Sequence, residues 1–222
     1  MSQSYLMSSQ QDALDNLRVI RSLMEKAHIY RAISAPAALV GGVLATAVSL
    51  VGFSSLSAKE SDITPDEFLF IWLGILAVTA ALNVFLLSRD AKNRGQDFVS
   101  DGMRMALRAI LPPLAVGGIL GIGLIVHLQN LTLAALIWIV CYGLALLATA
   151  SFSPRSLVRL GWMFVAAGLM LFWFWAAKGE LHLANASTGP AFMAMGLTFG
   201  LLHIIYAVAV FISKKPEVIS AE

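Results

Sequence analysis

The sequence predicts an all-α integral membrane protein, a bundle of six transmembrane helices preceded by a cytoplasmic amphipathic helix. Three observations predict it. Of 222 residues, 59% are hydrophobic and 13% charged, whereas a soluble domain is about half apolar and about a quarter charged. Six segments, 33–53, 68–88, 109–127, 131–150, 160–177 and 191–212, come close to the roughly 20 apolar residues that a spanning helix needs. All 15 basic and 13 acidic residues fall outside those segments. One cysteine excludes a disulfide scaffold. A net charge of +2, scattered along the chain, argues against a nucleic-acid partner and leaves the lipid bilayer as the expected one.

The N-terminal segment, residues 1–32, opens with a mostly polar stretch of eleven residues expected to be disordered. From 12 to 30, Leu14, Leu17, Ile20, Leu23, Met24 and Ala27 recur at helical spacing on one face. Asp15, Arg18, Ser22, Glu25 and His28 occupy the other face, the pattern of an amphipathic helix. Such a helix lies at the membrane interface, packs beneath the bundle, or binds a cytoplasmic protein partner. No continuous apolar stretch precedes it, so the first span is expected to be retained rather than cleaved.

The membrane domain then occupies residues 33–213, followed by a cytoplasmic tail at 214–222. Span 1 carries Ala37, Gly41 and Ala45 at intervals of four. Gly117 and Gly121 repeat that spacing in span 3, and Gly196 and Gly200 in span 6. Small residues so spaced let helix backbones approach closely, within one bundle or between copies of a homo-oligomer. Span 2 is introduced by Thr64-Pro65-Asp66-Glu67, a cap, a first-turn proline and a capping glutamate. Pro112-Pro113 predicts a kink in span 3. Ser153-Pro154 and Gly189-Pro190 start spans 5 and 6. Trp72, Trp173 and Trp175 fall near the outer interface and Trp162 near the inner one, as anchors of an aromatic belt.

Hairpin repetition is also legible. Arg31-Ala32-Ile33, Pro36 and Gly41-Gly42 are matched by Arg108-Ala109-Ile110, Pro113 and Gly117-Gly118. Trp72 precedes Arg89 by seventeen residues, as Trp138 precedes Arg155. A duplicated hairpin with spans 5 and 6 as a diverged third copy accounts for these matches. Chance similarity between low-complexity apolar segments accounts for them too.

Orientation follows from the basic residues. Thirteen of the 15 lie in the N-terminal segment, the 2–3 and 4–5 connections and the tail; Lys59 and Lys178 lie opposite. By the positive-inside tendency both termini are expected in the cytoplasm.

Two stretches carry a resemblance. Leu17-Arg18-Val19-Ile20-Arg21-Ser22-Leu23-Met24-Glu25 stands before a small-residue first span, and Gly200-Leu201-Leu202-His203-Ile204-Ile205-Tyr206 lies in the last. Both are similar to a group of uncharacterised bacterial six-span membrane proteins. The resemblance implies a bacterial inner-membrane location and carries no activity.

No Asp, Glu, Lys or Arg lies within a span, which counts against a proton pump, a carboxylate-coupled antiporter and a voltage sensor. The candidate site is therefore His203, with Tyr206 a turn away and Asn83 at broadly similar depth as substrate-binding residues. Thr46, Cys141, Tyr142 and Thr198 lie close enough in depth to join a polar cluster. His203 is either substrate-contacting or a neutral histidine hydrogen-bonded across helices, a bond worth about 1 kcal/mol or less. No cofactor is expected: a haem would need a second histidine at matching depth, and His127 lies at the outer end of span 3, about 18 Å from the level of His203. His127, Glu180 and His182 are too loosely spaced to read as a metal site. Cys141 reads as packing rather than as a nucleophile. Two functions remain: a small carrier or channel for a neutral or lipid-like molecule, and a non-catalytic membrane subunit or sensor with a partner-binding N-terminal helix. An intramembrane enzyme is least supported, because no acid–base pair or metal constellation is visible.

Overall fold

The apolar segments form helices because a backbone in hydrocarbon must satisfy its own hydrogen bonds. A computed structural model of the protein describes residues 33–57, 63–93, 95, 99, 101–179, 181 and 188–213. The amphipathic segment 12–30 and the tail 214–222 lie outside the described residues. Six helices are long and apolar enough to cross a membrane. They are α1 (Ala35–Ser57), α2 (Pro65–Asn93), α3 (Asp101–Leu128), α4 (Leu131–Ala148), α5 (Arg155–Ala177) and α6 (Thr188–Ser213). The described residues are all-α; the chain is a multi-pass membrane protein.

Most helices outrun the expected spans. α3 starts eight residues earlier than its apolar run, and α5 five residues earlier. These polar first turns retain helical geometry beyond the hydrocarbon, where charge costs little. α3 also passes through Pro112 and Pro113 as one continuous helix. Two ends follow their sequence signals closely. Thr64 and Glu67 form a reciprocal capping box, with Thr64 N–H donating to Glu67 Oε2 at 2.8 Å and Glu67 N–H to Thr64 Oγ1 at 3.3 Å. Asn130 caps α4 by accepting from Leu133 N–H at 2.9 Å, after a two-residue turn in which Gln129 takes φ 50°.

Consecutive helices lie side by side and α6 returns to α1, closing a ring. Packing is densest for α1 with α6, α3 with α4, and α4 with α5; it is sparsest for α2 with α3. Because the helices alternate in direction, the start of α1, the end of α2, the start of α3, the end of α4, the start of α5 and the end of α6 share one face. Arg89, Lys92, Arg104, Arg108, Arg155 and Arg159 lie there; it is called the basic face below.

Small residues explain why α1 is held on two sides. Gly41 faces α2, where an added methyl would stand 2.7 Å from the Thr79 side chain. A second stripe, Gly42, Thr46, Ser49 and Gly52, faces α6. A methyl on Gly42 would stand 2.9 Å from the Gly200 carbonyl, and one on Gly52 2.7 Å from the Phe192 ring. In α3, Gly117 accommodates Cys141 and Gly121 accommodates the Trp138 indole. Each of these glycine faces is occupied within the chain, so the close approaches build this bundle.

The tryptophans divide into two groups. Trp173 and Trp162 are 73% and 62% exposed, as lipid-facing anchors would be. Trp72 and Trp175 are only 5% and 9% exposed, which corrects their reading as interfacial anchors. Trp72 belongs to an aromatic core with Phe68, Trp138 and Phe192, at centroid separations of 5.1–6.4 Å. Depth assigned them to the interface, but rotation about the helix axis turned them inward.

Candidate functional site

His203 lies where three helices meet. α6 is α-helical from Thr188 to Met195, π-helical from Gly196 to Leu202, and α-helical again from His203 to Ser213. A π segment is rare and often marks a functional position. Here it coincides with the closest approach of α1, whose Gly42 and Thr46 sit against Gly200. The His203 backbone N–H bonds the carbonyl of Gly200 rather than that of Phe199 four residues back. The imidazole takes up that carbonyl instead, with Nδ1 3.0 Å from Phe199 O.

That bond assigns the ring's roles. A carbonyl only accepts, so Nδ1 carries the hydrogen, and in a neutral imidazole Nε2 is then an acceptor. The Tyr142 hydroxyl from α4 lies 2.8 Å from Nε2 and donates to it. Both nitrogens of a ring that is 8% exposed are therefore satisfied. Phe164 from α5 and Phe199 close around the pair. All six centroid separations in the tetrad Tyr142, Phe164, Phe199 and His203 lie between 4.8 and 6.0 Å. Such geometry suits edge-to-face and offset packing, each pair worth about 0.5–1.5 kcal/mol beyond its buried area. The tetrad couples α4, α5 and α6 into a rigid wedge. It leaves no ring nitrogen free for a substrate.

The three expected site residues do not converge. Asn83 Oδ1 accepts from the Ser34 backbone N–H at 2.9 Å, capping the start of α1. Ser34 precedes Gly42 by eight residues, so this contact lies about 12 Å from the level of Gly200 toward the basic face. α2 and α6 instead meet at the opposite end, through Phe68, Trp72 and Phe192. Tyr206 is 6% exposed, and it forms part of the wall of a separate groove.

That groove runs between α5 and α6 and has a volume of about 270 Å³. Its polar rim is Ser156, Arg159 and Ser213, at the first turns of α5 and the last turn of α6, on the basic face. Its deeper wall is Met163, Leu202, Ile205, Tyr206 and Ala209. At 1.5 Å per residue, Ser213 to Leu202 spans about 16 Å, close to half the ~30 Å hydrocarbon core. Ser213 Oγ donates back to Ala209 O at 2.7 Å. Among the described residues Arg159 has no carboxylate partner. The groove is apolar within the bilayer and cationic at its edge.

Other polar positions are structural. Thr46 and Thr198 donate back to Gly42 O and Ala194 O at 2.8 and 2.7 Å. Among the described residues no group of three or more His, Cys, Asp and Glu could hold a metal; Glu180 and His182 lie outside them. Sequence reading placed Tyr142 only at a similar depth, and it missed Phe164 and Phe199. Phe199 had a signal, since it lies one turn before His203; the cross-helix partners had none. Comparison with known proteins finds no match: no family model, no curated protein and no solved structure.

Proposed function

We propose that the chain is a small carrier for a lipid-like molecule, taken up sideways from the bilayer through the groove between α5 and α6. The observation that carries this reading is the groove's two-part lining, apolar to the depth of one leaflet with Arg159, Ser156 and Ser213 at its rim. A lipid-like ligand needs no aqueous path, which agrees with spans free of charge. His203 then acts as scaffold: with both nitrogens bonded, it holds α4 against α6 behind the groove. We place the protein in a bacterial inner membrane with both termini in the cytoplasm. The thirteen-to-two division of basic residues and the resemblance to six-span bacterial proteins support this.

The test is reconstitution in vesicles carrying a fluorescent short-chain phospholipid, with a membrane-impermeant quencher to measure exchange between leaflets. The wild-type chain accelerates exchange over protein-free vesicles. Ala209→Trp, which fills the groove, returns the rate to that of empty vesicles. A wild-type rate equal to that of empty vesicles refutes the carrier reading.

A second reading is a non-catalytic membrane subunit or sensor. Only 11% of the apolar stretch of α2 and 17% of that of α3 is buried within the chain, against 50% for α4. Faces so sparsely covered suit a neighbouring subunit. Crosslinking in the intact membrane from Val78 on α2, which is 56% exposed, distinguishes the two: the subunit reading requires a protein adduct, whereas the carrier reading gives adducts to bulk lipid alone.

A further inference from the structure

We infer that the α5–α6 groove selects an anionic phospholipid of the leaflet on the basic face, its phosphate held by Arg159 and one acyl chain laid along Met163, Leu202, Ile205 and Tyr206. The inference rests on reading the groove as a lipid site and adds the headgroup class.

Arg159 decides the charge. It is the fifth residue of α5, about 6 Å along the helix from Arg155, so its guanidinium reaches the headgroup level while its stem lies along the groove. A guanidinium presents paired N–H groups that match two phosphate oxygens. Among the described residues no carboxylate competes for it. Basic pockets between spanning helices on the cytoplasmic side are a recurring form of anionic headgroup site.

The apolar wall decides that the ligand is a lipid rather than a soluble phosphate. A soluble anion would use the rim and leave Met163, Leu202 and Ile205 without a role. The groove reaches about 16 Å inward, the depth of one leaflet. Its volume of about 270 Å³ falls near the lower bound of ligand pockets, ~300 Å³. That seats a phosphate and the first part of one acyl chain, leaving the rest of the lipid in the bilayer. Tyr206 lines the wall, and the aromatic tetrad packs Phe164 of α5 against Phe199 and His203 of α6 beside it.

The experiment is native mass spectrometry of the full chain in detergent, after exchange with an equimolar mixture of phosphatidylglycerol and phosphatidylcholine bearing the same acyl chains. The wild-type chain retains phosphatidylglycerol in preference to phosphatidylcholine. Arg159→Gln lowers phosphatidylglycerol retention about fivefold, the worth of one basic side chain at a membrane surface, and lowers phosphatidylcholine retention less, because the choline cation of that lipid already offsets the same phosphate. Lys92→Gln removes a charge from the same face, remote from the groove, and leaves both unchanged. Excess inorganic phosphate fails to displace the lipid. Equal losses from the two variants, or displacement by phosphate, overturn the inference. If both lipids are retained equally and Ala209→Trp expels both, the groove still binds lipid and the headgroup selection is wrong. If no lipid is retained by the wild-type chain, both readings fail.

Discussion

Replacing Tyr142 with Phe removes one oxygen from the tetrad and leaves its ring packing in place. The centroid separations of 4.8 Å to Phe164 and 5.0 Å to Phe199 are made by the ring, so the change isolates the 2.8 Å bond to His203 Nε2. The variant leaves an acceptor without a donor in a ring that is 8% exposed. In a soluble core, orphaning a buried acceptor costs about 1–3 kcal/mol. Between spanning helices the cost is smaller, about 0.6 kcal/mol on average and about 1.7 at most, because the unfolded chain in the membrane also finds partners. A loss of about 1 kcal/mol is therefore expected. His203→Phe loses this bond together with the one to Phe199 O. Because that second loss also occurs in the double variant, it cancels in a double-mutant cycle. The cycle measured by reversible unfolding in mixed micelles should give a coupling of about 0.6–1.7 kcal/mol. Strictly additive losses, with a coupling below about 0.3 kcal/mol, would mean that the two side chains do not meet.

Two further expectations follow from the packing. Gly200→Ala places a methyl 3.2 Å from both the N and Cα of Thr46, so α1 must move and the cost is about 1–3 kcal/mol; Gly118→Ala meets nothing within 4 Å and is neutral or stabilising by up to about 1 kcal/mol, as thermal unfolding in detergent will check. Single-tryptophan chains reconstituted with brominated lipids should be quenched strongly at Trp162 and Trp173 and weakly at Trp72 and Trp175, and equal quenching at all four contradicts the buried placement.

What was legible in the sequence is what depends on one helix at a time. The six spans follow from runs such as 131–150, where hydropathy alone is decisive, and the capping box at Thr64 and Glu67 follows from spacing along the chain. The boundaries slipped where polar turns, as at Asp101–Arg108, continue a helix beyond the hydrocarbon. Trp72 and Trp175 were misread because the belt tendency reports depth, whereas burial depends on which face meets a neighbour. The same limit explains the site. His203 was visible in the sequence as a titratable group within a span, but its partner Tyr142 lies 61 residues away. No periodicity connects residues across helices. The π segment was equally hidden, because it accompanies the approach of Gly42 and Thr46 to Gly200 rather than any local propensity. The groove needed both: Arg159 at the boundary was visible as charge, and its apolar wall emerged only from the pairing of α5 with α6.

The central claim is that a phospholipid occupies the groove between α5 and α6. It is tested most directly by placing a photoreactive benzophenone side chain at Ile205, on the groove wall, and at Val78, on the sparsely covered face of α2. Each chain is extracted in detergent, irradiated and weighed. The account predicts a phospholipid adduct at position 205 and none at position 78, where annular lipid is lost on extraction. No adduct at 205, or equal adducts at both positions, contradicts it.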